Sequence, residues 1–144
     1  MSDHTKFIWT DGTSDEISLT KIDDNFTAKY GRQKADLKEL IIGKDVRSIE
    51  ANAFKMCKNL EKVAMSPSVE KISVFAFAWC EKLTEIDLPE GLDTISISAF
   101  TFCTSLKKIR IPDSVTLIDD EAFSYCTDLG EIVLPKNLNC IYVS

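Results

Sequence analysis

The segment LKKIRIPDSVTLIDDEAFSYC, Leu106 to Cys126, decides the fold. The apolar residues that set its pattern are Leu106, Ile109, Ile111, Val115, Ile118, Ala122, Phe123 and Cys126. Ile109 and Ile111 flank Arg110, the two-residue alternation of a half-buried strand. Pro112 ends that strand and opens a turn, because it has no N–H to give a ladder. Val115 and Ile118 form a second apolar pair, read as a short extended or irregular crossing. Ala122 to Cys126 suits one helical turn. At 100° per residue, Ala122, Phe123 and Cys126 share a face, and Asp119 is placed to cap it.

Outward from this segment the pattern recurs. Cys57, Cys80, Cys103 and Cys126 are spaced 23 residues apart, and only Cys140 stands off the series. The chain falls into rows of 23 residues: 37–59, 60–82, 83–105 and 106–128, with a partial row at 129–144. Row positions 1, 4, 6, 10, 13, 17, 18 and 21 are apolar in all four full rows. Position 18 is always Phe (Phe54, Phe77, Phe100, Phe123), and position 21 is always Cys. One row is too small to bury its own core, so the rows must stack, each strand pairing in register with the next.

These rows resemble the BspA-like leucine-rich repeats, also called the Treponema pallidum type. That pattern reads L-x-x-I-x-I-P-x-S-V-x-x-I, then A-F-x-x-C, and Leu106 to Cys126 match it most fully. The resemblance implies an α/β repeat fold: a right-handed leucine-rich-repeat solenoid, with a parallel β-sheet on one face and short helical turns on the other. It covers residues 37–144 and implies protein binding. Some members are surface adhesins.

Residues 1–36 stand outside the 23-residue frame and are expected to form an N-terminal cap. Phe7 to Thr10, then Asp11-Gly12, then a run ending at Leu19 reads as a β-hairpin. Asp23 or Asp24 is placed to cap a short helical piece ended by Gly31. The cap's task is to cover the first strand's open edge.

Composition narrows the function. Lys and Arg number 17 against 23 Asp and Glu, a net charge of −6, which disfavours nucleic acid and anionic membranes. The longest apolar run, Val74 to Cys80, is too short to cross a bilayer. No basic start followed by an apolar stretch is visible, so a cytoplasmic location is expected, or the cell surface if a leader has been removed. With one histidine, His4, and no acid–base or nucleophile pair, no enzyme and no cofactor are expected. Four thiols strung along ~14 Å of stacked strands cannot surround one zinc ion. They read as buried apolar core residues in a reducing compartment. Asp11 to Glu16 has a faint calcium-loop look but lacks the EF-hand spacing, and reads as a hairpin turn.

Two surfaces remain. On the sheet face, row position 3 alternates in sign through Glu39, Lys62, Glu85, Lys108 and Glu131. It reads as a ladder of cross-strand ion pairs, or as a binding face centred on Glu85, Asp87, Lys108 and Arg110. On the flank, row position 20 reads Met56, Trp79, Phe102, Tyr125, where the family pattern is open and often small. Helical geometry places position 20 ~107° from the buried centre and exposes position 19 more fully. The flank series, enlarged by Phe75 and Ile97, serves lateral stacking, protein binding or both. The expectation is a non-enzymatic protein–protein interaction module with one protein partner of unknown identity. The alternatives are an adhesin fragment binding host proteins, or a structural module that self-associates as a homodimer through the flank or the C-terminal edge.

Overall fold

The computed structural model describes residues 3–141. Strands alternate down the chain. The first sheet takes β1 (Thr5–Trp9), β2 (Ser14–Ile17), β4 (Leu37–Ile42), β6 (Lys62–Met65) and β8 (Glu85–Asp87), in the order β2-β1-β4-β6-β8. A two-stranded ladder of β10 (Lys108–Arg110) and β12 (Glu131–Val133) follows. The second sheet is parallel throughout. It runs β3 (Lys21–Ile22), β5 (Ser48–Ile49), β7 (Lys71–Ile72), β9 (Thr94–Ile95), β11 (Leu117–Ile118) and β13 (Cys140–Ile141). Rows pair at identical positions, as with Val63↔Ile86 and Ile72↔Ile95, so each apolar side chain stacks on its equivalent one row away. The chain is a leucine-rich-repeat β-solenoid of about five turns.

The core is the set of repeated positions. Phe54, Phe77 and Phe100 are fully buried, with ring centroids 5.2 and 5.4 Å apart. The column begins at Phe26 and ends at the partly buried Phe123. Leu, Ile and Val at the other positions close around it. Neighbouring rows share every contact, so core stability is a property of stacked pairs of rows.

The Ala-Phe-x-x-Cys segments are not the expected helical turns. They are overlapping β-turns, closed in row 1 by Ala53 N–H to Glu50 O, Lys55 to Asn52 and Cys57 to Phe54. Two residues per row hold positive φ. One set is Asn52, Phe75, Ser98 and Glu121; the other is Met56, Trp79, Phe102 and Tyr125. This left-handed backbone turns alternate N–H groups away from their own row. Asn52, Phe54 and Met56 donate to Val74, Ala76 and Ala78 of the next row, and the pattern repeats along the stack. A helix would have satisfied these donors within one row. Here they join rows, as a third ladder beside the two sheets.

The N-terminal hairpin is present. β1 pairs antiparallel with β2 on one side and with β4 on the other, so it covers the edge of the first repeat strand. Gly43 makes this crossing possible: a Cβ there would lie 2.5 Å from the His4 carbonyl carbon. Gly31 ends a short 3₁₀ turn, Ala28–Tyr30, with φ 61°. Asp23 does not cap that turn. Its carboxylate accepts from Asn25 N–H, which fixes the loop before it. β3 lies in the N-terminal region yet continues the second sheet, pairing Ile22 with Ile49.

Candidate protein-binding surfaces

The flank is built by the left-handed residues. Positive φ at row position 20 swings its side chain out of the turn, while position 19 is buried in rows 2 and 3 and partly covered at Lys55 and Ser124. Ala78 and Thr101 are buried, against the helical expectation that position 19 is the exposed one. Met56 is 50% exposed, Tyr125 66% and Ile97 43%. Trp79 and Phe102 stack face to face at 5.2 Å, and Phe102 and Tyr125 at 4.4 Å. Phe75 leans on Trp79 at 6.2 Å. Phe75, Trp79, Phe102 and Tyr125 therefore form one continuous run of rings, and Met56 and Ile97 are exposed at positions 20 and 15 of rows 1 and 3. Because the stacked rings use their faces on each other, they offer mainly edges to solvent.

Lys55 was not legible as part of this strip. Its Nζ lies 4.9 Å from the Phe75 ring centroid and 5.4 Å from that of Trp79. Such cation–π contacts hold the ammonium over the aromatic faces at the start of the strip. The only signal was a lysine one position ahead of the aromatic column, which periodicity assigned to solvent.

On the sheet face, Glu85, Asp87, Lys108 and Arg110 do come together. They line a shallow groove of about 490 Å³ where β8 and β10 lie side by side in separate ladders. The charges are balanced and partly spoken for. Lys108 pairs with Glu131 at 2.8 Å, and Arg110 with Glu90 at 2.6 Å. The expected ion-pair ladder is realised only at that end among the described residues. Glu39 and Lys62 face each other in register, as do Lys62 and Glu85, but neither closes to an ion pair. An exposed pair gains too little to immobilise two long side chains.

The thiol column is a line, not a cluster. Cys57, Cys80 and Cys103 are buried and free, and Cys126 is partly buried. Each later thiol donates to a phenylalanine carbonyl in the row before: Cys80 to Phe54, Cys103 to Phe77 and Cys126 to Phe100, at 3.2–3.3 Å. The position thus needs a small apolar side chain with a weak donor. Burial pushes Cys57 up to about 12 and Cys126 to about 11, and raises Cys80 and Cys103 as well. Groups so reluctant to ionise are poor nucleophiles. The Cys140 side chain lies outside the described residues.

The BspA type leucine rich repeat region matches residues 27–144 in six copies. The chain belongs to this BspA-type family. Its fold is shared with a leucine-rich repeat protein from Bacteroides ovatus (34% identity, TM-score 0.72), over 84% of this chain and 30% of that one. The T. pallidum leucine rich repeat protein is 33% identical with a TM-score of 0.70, over 74% of this chain and 51% of its own. A leucine rich cell surface protein from Faecalibacterium prausnitzii is 26% identical with a TM-score of 0.68, over 98% and 43%. This BspA-type chain thus spans between 30% and 51% of the length of these three structures. No curated protein matches it.

Proposed function

We propose that the chain is a non-enzymatic protein-binding module whose anchor residues lie on the flank. One observation carries this reading. Four backbone positions of left-handed conformation, where glycine or asparagine is favoured, hold Met56, Trp79, Phe102 and Tyr125. Each bulky residue there costs about 1–2 kcal/mol of backbone strain. Stacking returns part of that cost, yet Met56 and Tyr125 remain half or more exposed. Trp, Tyr and Met are also the types that enrich binding hot spots and interface cores. Glu85, Asp87, Lys108 and Arg110 are the second choice, since Lys108 and Arg110 are already paired with Glu131 and Glu90.

The strip covers roughly 15–20 Å along the stack, from four rows at ~4.8 Å spacing. A stable interface buries ~800 Å² per partner, a patch about 28 Å on a side, which is longer than this narrow strip. The flank is therefore an anchor within a larger contact, which weakens the homodimer alternative. We take the coil as right-handed, because parallel crossovers are so in ~98% of cases. For location, the name of the F. prausnitzii protein favours the cell surface, with an adhesin-like role as the narrower reading. The thiols do not argue for the cytoplasm: buried and barely ionised, they resist oxidation in either compartment.

The test is binding by matched variants. Trp79→Ala with Phe102→Ala is expected to keep the fold by circular dichroism and to weaken capture of the partner at least tenfold. Lys108→Glu with Arg110→Glu is expected to change it less than threefold. The opposite ranking moves the site to the sheet face and ends the flank reading.

A further inference from the structure

Among the described residues, β12 is bonded on one edge only, to β10. Ile111 N–H donates to Val133 O, so Val133 turns its backbone polar groups toward row 4. Successive residues of a strand turn opposite ways, which aims the N–H and C=O of Ile132 and Leu134 outward. Their side chains are open as well: Ile132, Val133 and Leu134 are 39–47% exposed. An apolar strand with an unpaired edge is a template for another strand.

The residues of the edge point to which strand that is. Antiparallel pairing of β12 with a second copy of itself, centred on Ile132, sets Ile132 against Ile132 and Glu131 against Val133. Two-fold symmetry makes every such contact twice. At the ends this register brings Lys136 toward Asp128 of the other copy, and both are exposed. Lys136 Nζ is held only loosely in its own chain, 4.0 Å from Asp113. Sliding the register by two residues one way sets Glu131 against Glu131, and like charges directly opposite are destabilising. Sliding it the other way parts Lys136 from Asp128. At the far end of the first sheet lies β2, which carries Asp15 and Glu16. Head-to-tail pairing would set these against Glu131, so pairing of like ends is favoured and closes after two copies.

We propose that the chain forms a two-fold dimer by antiparallel pairing of β12 with β12 of a second copy, in the register centred on Ile132. Strand addition draws its affinity from main-chain hydrogen bonds, so the narrowness that counts against a flank dimer does not apply. The edge and the flank are separate surfaces, and neither reading rests on the other.

The light-scattering mass of the full chain over a concentration series tests it. The mass is expected to rise from 16.2 kDa toward twice that value as concentration passes on the order of 100 μM, the weak regime of a small contact. Ile132→Pro is expected to hold the chain at the monomer mass. It removes an outward N–H, and edge strands tolerate proline there. Lys136→Glu is expected to weaken dimerisation roughly tenfold, by turning two attractive contacts repulsive. Adding Asp128→Lys is expected to restore the parental dimer. Trp79→Ala with Phe102→Ala is expected to leave dimerisation unchanged. Circular dichroism checks the fold of each variant, and the charge swap decides alone if the proline variant loses it. A monomer mass at about 1 mM, or growth past the dimer, overturns the proposal. So does a dimer that persists in a folded Ile132→Pro chain, a charge swap that fails to rescue, or loss of the dimer in the aromatic variant.

Discussion

At row position 21 one side chain does three things. It fills a small gap beside Phe, it donates weakly to the carbonyl of the preceding row, and it stays uncharged. The sequence makes the first legible, because a cysteine every 23 residues in an apolar column reads as core. The bond to Phe54, Phe77 or Phe100 is not legible, since it depends on which way that carbonyl points. The thiols also make stability depend on pH. Folding raises Cys57 from 9.0 to about 12 and Cys126 to about 11, with Cys80 and Cys103 raised too. Above pH 9 the unfolded chain releases these protons and the folded chain does not. The contribution is whole below pH 9 and falls as pH climbs toward the folded values. Each thiol removes about 1.4 kcal/mol per pH unit in that window. Urea midpoints are expected to be flat from pH 7 to 8.5 and to fall steeply by pH 10.5. Cys103→Ala is expected to make the fall shallower. An unchanged slope in that variant means the alkaline loss has another source.

At the scale of elements, inside and outside are set by different rules on the two sides of a row. Strands obey alternation, so Ile109 and Ile111 are buried and Lys108 and Arg110 exposed, as the sequence pattern requires. The turn segments do not obey helical periodicity. No local feature of Phe75 or Trp79 predicts positive φ, because bulky residues disfavour it; only the stacked neighbours impose it. The aromatic strip was therefore legible as a column but not as a geometry. β3 and Phe26 were missed for a different reason. Ile22 pairs with Ile49 and Phe26 packs at a tilt against Phe54, offsets longer than the 23-residue period that exposes the other rows. The inside–outside assignment itself can be measured. Phe100→Ala opens a cavity between the buried Phe77 ring and the partly buried Phe123 ring and is expected to cost about 3–5 kcal/mol. Glu85→Ala, exposed and without an ion pair among the described residues, is expected to cost under about 1 kcal/mol. Equal losses in denaturant melts would contradict the assignment.

Over the whole molecule, stability is a chain of row-to-row interfaces, each made of two strand ladders and one turn ladder. The interfaces are not equal. Between rows 2 and 3 all three are closed: β6 with β8, β7 with β9, and Phe75, Phe77 and Trp79 donating to Ile97, Ala99 and Thr101. Between rows 3 and 4 the second sheet and the turn ladder continue, but β8 and β10 fall in separate ladders. In the last row Ile132, Val133 and Leu134 are 39–47% exposed, and Phe123 of row 4 is only partly buried. The first repeat strand differs, since β1 pairs along it and Leu37 and Leu40 are buried. A nearest-neighbour array with one covered strand and one thin row opens from the thin row inward. Native-state hydrogen exchange is expected to be slowest at the Phe54 and Phe77 amides, slower than at Phe100 or Phe102, and fastest in β12. Exchange should therefore quicken with row number rather than follow strand length or local sequence. Tyr125→Ala, which removes only the outermost ring of the stack, is expected to speed exchange at Phe102 and leave Phe54 unchanged. Uniform acceleration at every row would mean that the solenoid opens as one cooperative unit, and the graded picture would fail.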